Sequence, residues 1–461
     1  MNKNYYRIFI PLVFKAGLSP GNGSKSNNVV ISLNGNNDAV LRGSSIAGVL
    51  RSAFIKNNSE YVERWFGTDN RDKKDQFEVS RIKIADTILD HGKTEISQRT
   101  HNAINRHTGA AIKGGLFSIE ALPPGTKATI IAEIDGRGIP KEECDTFIVT
   151  IANLFETGLF FGGNRNRGIG KATAPKGIFV EEYDLEKPDE YAALLDSRYL
   201  YDSKEIKLTG RNITVKKNNT EHFEIKLILG IPRGEDLLIG DGQTLDYVLE
   251  PQKTLTADGK KYWRIPGSTF RGIFKAWMSR LAAREGRQLR DDAEKFYNET
   301  NLITGENIGW GFVVNETERD DFKKTPDKLN DPIMSLFGSL YRRGRIHFAD
   351  SFSISETNNT DSAERMHVSI DRFTGGANEG SLFKNKVLVN SHIEFPLFIQ
   401  INSPKEHEIQ WLVKTIKALH LGILSIGSSK SSGRLAVTRI ESCNDQEKVG
   451  NLLFDFIEEQ K

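Results

Sequence analysis

The chain has 461 residues, and because one hydrophobic core usually stops growing at roughly 250 to 300 residues, we expect two cores. Its two cysteines, Cys144 and Cys443, form no CxxC or Cys/His pattern, which excludes a disulfide scaffold or a zinc module and favours a reducing, cytoplasmic setting. With 63 basic and 61 acidic residues the formal charge is only +2, so nucleic-acid binding must be judged from local charge. No apolar run is long enough to span a membrane.

Four segments occur twice, in the same order along the chain. The longest pair is HNAINRHTGAAIKGGLF at 101–117 and HVSIDRFTGGANEGSLF at 367–383, an offset of 266 residues (367 − 101). The others are RGSSIAGVLR and PGSTFRGIFK, RIKIAD and RIHFAD, and GGNRNRGIGK and GSSKSSGRLA. Two copies of one domain explain this pattern. We place the first domain at residues 1–182, a linker at 183–221 and the second domain at 222–461.

Each copy opens with a run of β-favouring residues, Tyr6 to Phe14 and Phe223 to Ile231, which predicts a strand. A helix is predicted next, with Ser44 or Ser268 as its N-cap and apolar residues at spacings of three and four. The predicted stripe comprises Ile46, Val49, Leu50 and Phe54 in the first copy and Phe270, Ile273 and Phe274 in the second. This order of elements indicates an α+β fold of two tandem ferredoxin-like (RRM-like, βαββαβ) domains.

The second copy carries a charged insertion at about residues 283–334 that the first copy lacks. Between the predicted helix and the LFG at Leu336, the offset between the copies grows from 224 to 271, which makes 47 extra residues (271 − 224). An insert rich in Arg, Asp, Glu, Lys and Asn predicts a solvated loop with helical pieces, which is also able to contact a neighbouring subunit.

The longest repeated motif predicts a hairpin that projects from the sheet of each domain. It alternates apolar and polar residues, is interrupted by glycines, and carries one arginine before the TG turn, Arg106 or Arg372. With small residues at its tip and a Leu–Phe pair near its base, such a hairpin is shaped to wedge against a partner, and stacked bases are one candidate. The alternative is a hairpin that only packs against its own domain.

Two further repeated elements suit a polyphosphate backbone. The closing glycine-rich loop lets backbone N–H groups approach an anion while basic side chains supply charge. The helix start, GSS or GST, places hydroxyls and free N–H groups at the positive end of a helix dipole. The residues concerned are Ser44, Ser45, Arg51, Gly162, Gly163, Arg165, Arg167 and Gly168 in the first copy, and Ser268, Thr269, Arg271, Lys275, Gly427, Lys430, Ser431, Gly433 and Arg434 in the second. The alternatives are an ordinary turn with exposed arginines and a plain N-cap.

Taken in order, the GSS or GST helix start, the I-D/N-R-x-T-G hairpin and the terminal glycine-rich loop resemble the RAMP (repeat-associated mysterious protein) superfamily of CRISPR effector complexes. The likeness covers both halves. The H-x-x-I-D-R-x-T-G motif is similar to that of type III backbone subunits, which polymerise along a guide RNA and carry the target-RNA nuclease. Two such domains in one chain resemble the fused backbone subunits of type III-D systems.

The resemblance implies a subunit that binds guide RNA, cleaves the complementary single-stranded target RNA, and assembles with other type III effector subunits rather than with a membrane. The helix starts and glycine-rich loops would hold the guide. The hairpins would be thumbs that displace one nucleotide of the guide–target duplex at intervals. Displacement matters because regular A-form geometry keeps a ribose 2′-OH out of line with its leaving oxygen.

The resemblance also places a catalytic aspartate in the loop between the first strand and the helix. In the second copy this loop reads LLIGDGQTLDYVLEP, and aligning its glycines with those of the first copy puts Asp246 opposite Asn27. An aspartate can orient a metal-bound water or accept the 2′-OH proton, whereas asparagine cannot act as a base. We therefore expect one active domain, with Asp236 or Asp241 as additional catalytic or metal-binding residues and Mg²⁺, or another divalent cation, as the cofactor. The alternative for Asp246 is a turn-capping carboxylate.

Two other functions fit the sequence. A non-catalytic RNA-binding subunit needs no carboxylate beside a phosphate, so Asp246 argues against it. A guide-precursor processing endoribonuclease would use a general acid or base histidine, and His101, His107 and His367 lie in the hairpin motif. Because His101 and His367 recur at one position beside an apolar strand, a shared hydrogen-bonding role is their alternative. Asp86 and Asp350 recur after a strand, which likewise favours a structural role.

Overall fold

The structure is a computed structural model that describes most of the chain in two α+β domains. The described residues are 4–22, 28–56, 62–68, 78–104, 111–196, 206–215, 222–240, 248–287, 289, 331–338, 343–427, 433–449, 453 and 456–457.

The first domain and the segment after it contain strands β1 to β12 and helices α1 to α4. In chain order these are β1 (Asn4–Phe14), β2 (Asn28–Val29), β3 (Val40–Leu41), α1 (Gly43–Lys56), α2 (Val62–Phe66), β4 (Ile82–Ile84), β5 (Thr87–Asp90), β6 (Ser97–Ile104), β7 (Ala111–Ala121), β8 (Thr126–Asp135), α3 (Lys141–Thr157), β9 (Leu159–Phe160), a 3₁₀ turn (Arg165–Arg167), β10 (Lys171–Thr173), β11 (Ile178–Asp184), α4 (Pro188–Asp196) and β12 (Arg211–Ile213).

The second domain contains strands β13 to β22 and helices α5 to α8. In chain order these are β13 (His222–Gly230), β14 (Val248–Leu249), β15 (Lys253–Leu255), β16 (Lys261–Ile265), α5 (Gly267–Arg284), α6 (Pro332–Phe337), β17 (Ile346–Phe348), β18 (Ser351–Phe352), a 3₁₀ turn (Asn359–Asp361), β19 (Ser362–Ile370), β20 (Ala377–Leu388), β21 (Glu394–Asn402), α7 (Glu406–His420), β22 (Ala436–Cys443) and α8 (Gln446–Val449).

Both domains contain the four-stranded antiparallel sheet of a ferredoxin-like fold. The strands lie in the order β11-β1-β8-β4 in the first domain and β22-β13-β21-β17 in the second. In each case the opening strand of the domain is central, and the strand after the first helix lies at one edge of this set. The predicted tandem βαββαβ arrangement is confirmed. Strands β3, β5, β9, β10 and β12 widen this first sheet, whereas β2, β6 and β7 form a separate three-stranded sheet.

Each sheet is covered by helices whose apolar stripes form a separate core. In α3 the buried residues recur at helical spacing, as Phe147, Ile151 and Phe155 show. The stripe predicted for the first helix of each domain is confirmed. Its buried members are Ile46, Leu50, Phe54, Phe270 and Phe274. Among the described residues, no helix is long and apolar enough to cross a membrane.

The segment predicted as a linker contributes two elements that contact the first domain. The carbonyl of Leu194 in α4 accepts a hydrogen bond of 3.2 Å from Nη2 of the buried Arg7. Strand β12 pairs antiparallel with β11 and extends the first sheet. Elements this short carry little periodic signal, so a sequence pattern does not reveal them. The predicted charged insertion lies, apart from its two ends, outside the described residues.

The repeated hairpin motif forms an antiparallel hairpin in both domains, as predicted. It consists of β6 and β7 in the first domain and β19 and β20 in the second, with His101 paired to Phe117 and His367 to Phe383. At the tip of the second hairpin the Asp371 carboxylate accepts hydrogen bonds of 2.8 Å from the backbone N–H groups of the two residues after Arg372. The first tip, residues 105–110, lies outside the described residues.

The aromatic cluster under α1 and α3 provides a stability prediction. Phe147 stacks on Trp65 at 4.3 Å between ring centroids and contacts Phe54 at 4.9 Å. Phe147→Ala leaves a cavity among these rings and should lower the free energy of unfolding by about 3–5 kcal/mol, as measured by urea denaturation. The matched control is Phe373→Ala, because the Phe373 side chain is 99% exposed and should leave the unfolding free energy unchanged. Equal effects of the two variants would contradict the packing.

Candidate nucleic-acid interface

The closing loop of the first domain packs against the helix start of the second. It contains the 3₁₀ turn Arg165–Arg167, followed by Gly168 at φ 96°, a left-handed conformation that favours glycine. The Gly168 carbonyl accepts a hydrogen bond of 3.0 Å from the backbone N–H of Asp350. A Cβ at position 168 would collide with the Asp350 carboxylate. The loop that we predicted to bind RNA is therefore also part of the junction between the domains.

The two helix starts share one arrangement. Oδ1 of Asp350 accepts a hydrogen bond of 2.9 Å from the N–H of Gly267, and Oδ1 of Asp86 accepts one of 2.8 Å from Gly43. An aspartate from a neighbouring strand end thus satisfies a free N–H group at each helix start. The predicted structural role of Asp86 and Asp350 agrees with these bonds.

The predicted N-caps were wrong, since in α5 the predicted Ser268 lies two residues beyond the N-cap (268 − 266). Helix α1 begins at Gly43 and α5 at Gly267, so Ser44 and Ser268 lie inside the first helical turn. In α5 the N-cap residue is Pro266, and no side chain at that position makes a capping hydrogen bond. The hydroxyl groups of the two helix starts differ in their exposure to solvent. Ser44 and its neighbour Ser45 are exposed, whereas Ser268 and Thr269 are half-buried.

Four arginines lie at the domain junction, two from each domain. Nη1 of Arg99 lies 2.6 Å and Nη1 of Arg264 3.7 Å from Oδ2 of Asp350, whose side chain is fully buried. Arg167 and Arg271 form no ion pair with any described carboxylate. Guanidinium nitrogens of Arg99, Arg264 and Arg271 are buried without a hydrogen-bond partner in the described part of the chain. Positive charge is therefore in excess, and buried charge without a partner is costly.

Burial lowers the pKa of these guanidinium groups without discharging them. Burial, followed by repulsion from Arg99, lowers the pKa of Arg264 to about 10. Burial, followed by repulsion from Arg167, lowers the pKa of Arg271 to about 10. Burial also lowers the pKa values of Arg165 and Arg167 to about 10. All remain protonated at neutral pH, so an incoming phosphate would meet a concentrated positive charge.

The two hairpins differ in what covers their bases. In the first, the Arg167 guanidinium lies over the Phe117 ring, 4.1 Å from its centroid. In the second, the apolar side chains face solvent, and Phe373 at the tip is 99% exposed. The other exposed apolar residues of this hairpin are Met366, Val368, Ile370, Leu382 and Phe383. A row of exposed apolar side chains on a projecting hairpin is suited to contact with flat, unstacked bases.

The repeated histidines stack on the repeated phenylalanines. His101 lies 5.4 Å from Phe117 and His367 lies 5.2 Å from Phe383, measured between ring centroids, with nearly parallel rings. Nε2 of His101 is buried and has no hydrogen-bond partner among the described residues. Stacking, rather than the shared hydrogen bond that we predicted, is therefore the interaction seen in both copies. His107 lies outside the described residues.

The loop with the predicted catalytic aspartate is described only at its two ends. Asp241, Asp246 and Asn27 lie outside the described residues. Asp236, at the start of the loop, binds the guanidinium of Arg365 through two hydrogen bonds of 2.8 and 3.0 Å. This pair ties the loop to the base of the second hairpin.

Strand pairing at both ends of this loop fixes the relation between the copies. At the start, bridges to the hairpins align Leu237 with Leu18, an offset of 219. At the end, parallel pairing with the hairpins aligns Val248 with Asn28, an offset of 220. The second loop is therefore one residue longer than the first.

The extra residue affects the counterpart of Asp246. Counted from the start of the loop, the counterpart is Asn27, as we predicted, and counted from the end it is Ser26. Neither residue has a carboxylate, so the chemical contrast between the two loops holds for both alignments.

The other residues predicted to bind RNA lie on several of the repeated elements. Arg372 is exposed at the second hairpin tip, and Arg434 pairs with Glu235 at 3.3 Å. Arg51 and Lys275 are half-buried on α1 and α5. Positive φ values occur at Gly162, Gly427 and Gly433. The positions outside the described residues are Arg106, Lys430 and Ser431.

Sequence analysis missed Arg99 and Arg264. A signal for Arg99 was present, since Arg365 occupies the same position, 266 residues later, two residues before the repeated histidine. For Arg264 no such signal exists, because its place at the junction arises from the packing of one domain on the other.

The predicted Mg²⁺ site comprises Asp236, Asp241 and Asp246, of which only Asp236 belongs to the described residues. None of the described residues forms a group of three or more His, Cys, Asp or Glu side chains placed to hold a metal ion. Asp236, one of the predicted ligands, is instead engaged by Arg365.

These features define a tandem ferredoxin-like protein with a basic junction and a projecting hairpin on each domain. The chain belongs to the RAMP superfamily, whose family model matches residues 11–173 and 236–434. One matched region falls in each domain, and the predicted family is confirmed. Membership indicates a CRISPR-associated RNA-binding subunit. No curated protein matches the chain.

The stacked His101 predicts a pH dependence of stability. Burial, followed by repulsion from the neighbouring arginines, lowers the pKa of His101 from 6.5 to about 4. The unfolded chain therefore binds this proton first, and stability that is fully present above pH 6.5 should decline as the pH falls towards 4. His101→Phe keeps a ring on Phe117 and removes the titration. Thermal midpoints measured over this range should fall less steeply for the variant, and parallel curves would contradict the assignment. The difference between the thermal midpoints of the variant and the wild type at neutral pH reports any change in packing that the substitution causes.

Proposed function

We propose that this protein is the guide-RNA-binding backbone subunit of a type III CRISPR effector complex, and that its second domain cleaves complementary target RNA. The observation that carries the proposal is the junction cluster of Arg99, Arg167, Arg264 and Arg271, where guanidinium groups exceed carboxylates. A phosphodiester of the guide would supply the missing negative charge through charge-assisted hydrogen bonds.

The guide backbone would follow the surface formed by the closing loop of the first domain and the first turns of α5. Arg165 and Arg167 stand on the loop, and Arg271 follows on the helix. Together they offer positive charge without base edges to read, which suits a subunit that must hold guides of any sequence. In the first domain, the exposed hydroxyls of Ser44 and Ser45 offer phosphate contacts at the other helix start.

The second hairpin supports a wedge role against the guide–target duplex. Its exposed Phe373, Ile370 and Leu382 have nothing described packed over them and would stack on or beside displaced bases. Displacement of one nucleotide would bend the target backbone there and allow its 2′-OH to line up with the leaving oxygen. Single-stranded target RNA and other effector subunits are the partners this role requires.

Guide binding should depend on the arginines of the closing loop. Arg165→Gln together with Arg167→Gln should weaken RNA binding at low salt and reduce the slope of log K against log salt by about 0.7 for each phosphate that the variant no longer neutralises. Filter binding over a salt series measures this slope. The control is Arg137→Gln. Arg137 lies away from the junction and forms an ion pair with Asp135 at a distance of 2.7 Å. A wild-type slope in the double variant would mean that these side chains do not contact phosphate.

Target cleavage is proposed to use Asp246. The carboxylate would accept the proton of the target 2′-OH as the oxygen attacks the adjacent phosphorus, and the 5′-oxygen of the next nucleotide leaves. The first domain lacks a carboxylate at either possible counterpart, Ser26 or Asn27, and would bind without cutting. A requirement for Mg²⁺ is part of the proposal and is tested by cleavage with and without this ion.

Replacement of Asp246 should separate cutting from binding. In the complex assembled with guide RNA and Mg²⁺, Asp246→Ala should slow target cleavage by about 10²–10⁴-fold and leave target affinity unchanged. The matched control is Asp258→Ala, at an exposed turn of the same domain, which should cut normally. Asp241→Ala tests the neighbouring carboxylate. Normal cleavage by Asp246→Ala would contradict the assignment and favour a purely structural RNA-binding subunit.

The structural subunit is the second candidate function. The observation that favours it is the ion pair of Asp236 with Arg365, which leaves one loop carboxylate occupied. Guide-precursor processing has less support. His101 is half-buried against Phe117, and the lowered pKa keeps its ring neutral at neutral pH, so the imidazolium form that serves as a general acid is scarcely populated.

A further inference from the structure

A series of side chains connects the domain junction to the backbone carbonyl of Gly240. Nη2 of Arg264 donates a hydrogen bond of 2.6 Å to Oε1 of Gln252. Nε2 of the same amide donates a hydrogen bond of 2.5 Å to the Gly240 carbonyl. Nη1 of Arg264 lies 3.7 Å from the carboxylate of Asp350, which also binds Arg99 of the first domain. Side chains of both domains therefore support the backbone at this point.

The amide of Gln252 matches the two groups that it joins. A guanidinium only donates hydrogen bonds and a backbone carbonyl only accepts them, so a side chain between the two must accept at one end and donate at the other. Gln252 is buried, and a hydrogen bond in a buried site is stronger than one in water. The amide is therefore a firm link between Arg264 and Gly240.

The same backbone pairing occurs in the first domain without this link. Ser32 takes the place of Gln252, because the N–H of each donates a hydrogen bond to a carbonyl before the loop, at 2.7 and 2.9 Å. Val40 takes the place of Arg264, because the N–H of each donates a hydrogen bond of 2.9 Å to the carbonyl of the residue just aligned. A valine side chain has no donor. The link is therefore specific to the second domain, whose loop also contains Asp246.

Asp246 follows the residue that this link holds by six positions (246 − 240). Two positions after it (248 − 246), Val248 pairs with Lys384 of the second hairpin. The segment is thus held before and after Asp246, at Gly240 and at Val248. A short segment fixed at both ends has fewer conformations than one fixed at a single end. Loss of the bond to Gly240 would therefore allow the Asp246 carboxylate a wider range of positions.

We propose that Gln252 is a positioning residue for target cleavage, and that Arg264, itself held by the junction with the first domain, keeps its amide in place. The inference deepens the proposed function and rests on its assignment of Asp246 as the group that accepts the 2′-OH proton. A general base must lie within hydrogen-bond reach of the proton that it removes, and a misplacement of about 1 Å can cost about 10²-fold in rate. The first domain thereby contributes to a reaction that takes place on the second.

Gln252→Glu separates the two hydrogen bonds of the amide. The new carboxylate still accepts from Arg264 and, beside that guanidinium, stays ionised at neutral pH, so it cannot donate to the Gly240 carbonyl. In the complex assembled with guide RNA and Mg²⁺, single-turnover cleavage of bound target RNA should slow about tenfold or more, with unchanged target affinity. If Gln252 served only as a structural partner of Arg264, this variant would cleave at the wild-type rate, and that result would overturn the proposal.

Gln400→Met is the matched control for Gln252→Met. Gln400 is also buried at the junction, where it accepts a hydrogen bond of 2.9 Å from Nζ of Lys171, but it does not belong to the link. Gln252→Met removes both hydrogen bonds of the amide and should slow cleavage at least as much as Gln252→Glu. Gln400→Met should cleave at the wild-type rate. Equal slowing by the two methionine variants would indicate a general loss of junction packing and would contradict the positioning role.

Hydrogen exchange tests the link without any cleavage. The N–H of residue 252 bonds to the carbonyl of Ile239, next to Gly240, so its protection reports the pairing at the start of the loop. Peptides that cover residues 248–255 should exchange faster in Gln252→Glu than in the wild type, and unchanged exchange would overturn the link. Slow cleavage by Asp246→Ala together with normal cleavage by Gln252→Glu would contradict this inference alone. Normal cleavage by Asp246→Ala would contradict the proposed function instead.

Discussion

The carboxylate of Asp350 is the contact on which the arrangement of the two domains depends. One oxygen accepts the free N–H at the start of α5, the other binds Arg99 at the base of the first hairpin, and the backbone N–H of the residue holds the closing loop at Gly168. A helix, a hairpin and a loop are thereby positioned by one residue. Without this carboxylate, Arg99 and Arg264 would be buried with no counter-charge, which is far more costly than the removal of one hydrogen bond.

Local sequence patterns predicted the parts of the structure that local physics determines. The apolar stripe containing Ile46 and Phe270 and the alternation of the hairpins follow from the periodicity of helix and strand, so the ferredoxin-like order was accessible. The groups that cap the two helix starts could not be predicted from sequence, because the carboxylate that accepts the hydrogen bond follows a strand distant in sequence. The placement of Arg264 at the junction could not be predicted either, since it depends on how one folded domain packs against the other. Sequence alone also did not reveal Ser26 as the second possible counterpart of Asp246, because that alignment follows from the register of strand pairs in the folded structure.

Duplication has given the same motifs different environments. The first closing loop and hairpin base are covered by the second domain, while the second hairpin projects into solvent. Identical positions such as His101 and His367 therefore differ in burial without differing in stacking geometry. For an RNA-binding subunit, a junction already formed inside the chain makes the domain pair a preassembled unit.

The covalent connection between the domains has a consequence for assembly kinetics. Arg99 and Asp350 belong to one polypeptide, so they meet at an effective concentration set by the intervening chain, of the order of millimolar for a short flexible tether, rather than by the amount of protein present. The internal junction therefore forms at any dilution. A contact between two separate chains would have no such advantage, because its formation depends on the concentration of the protein.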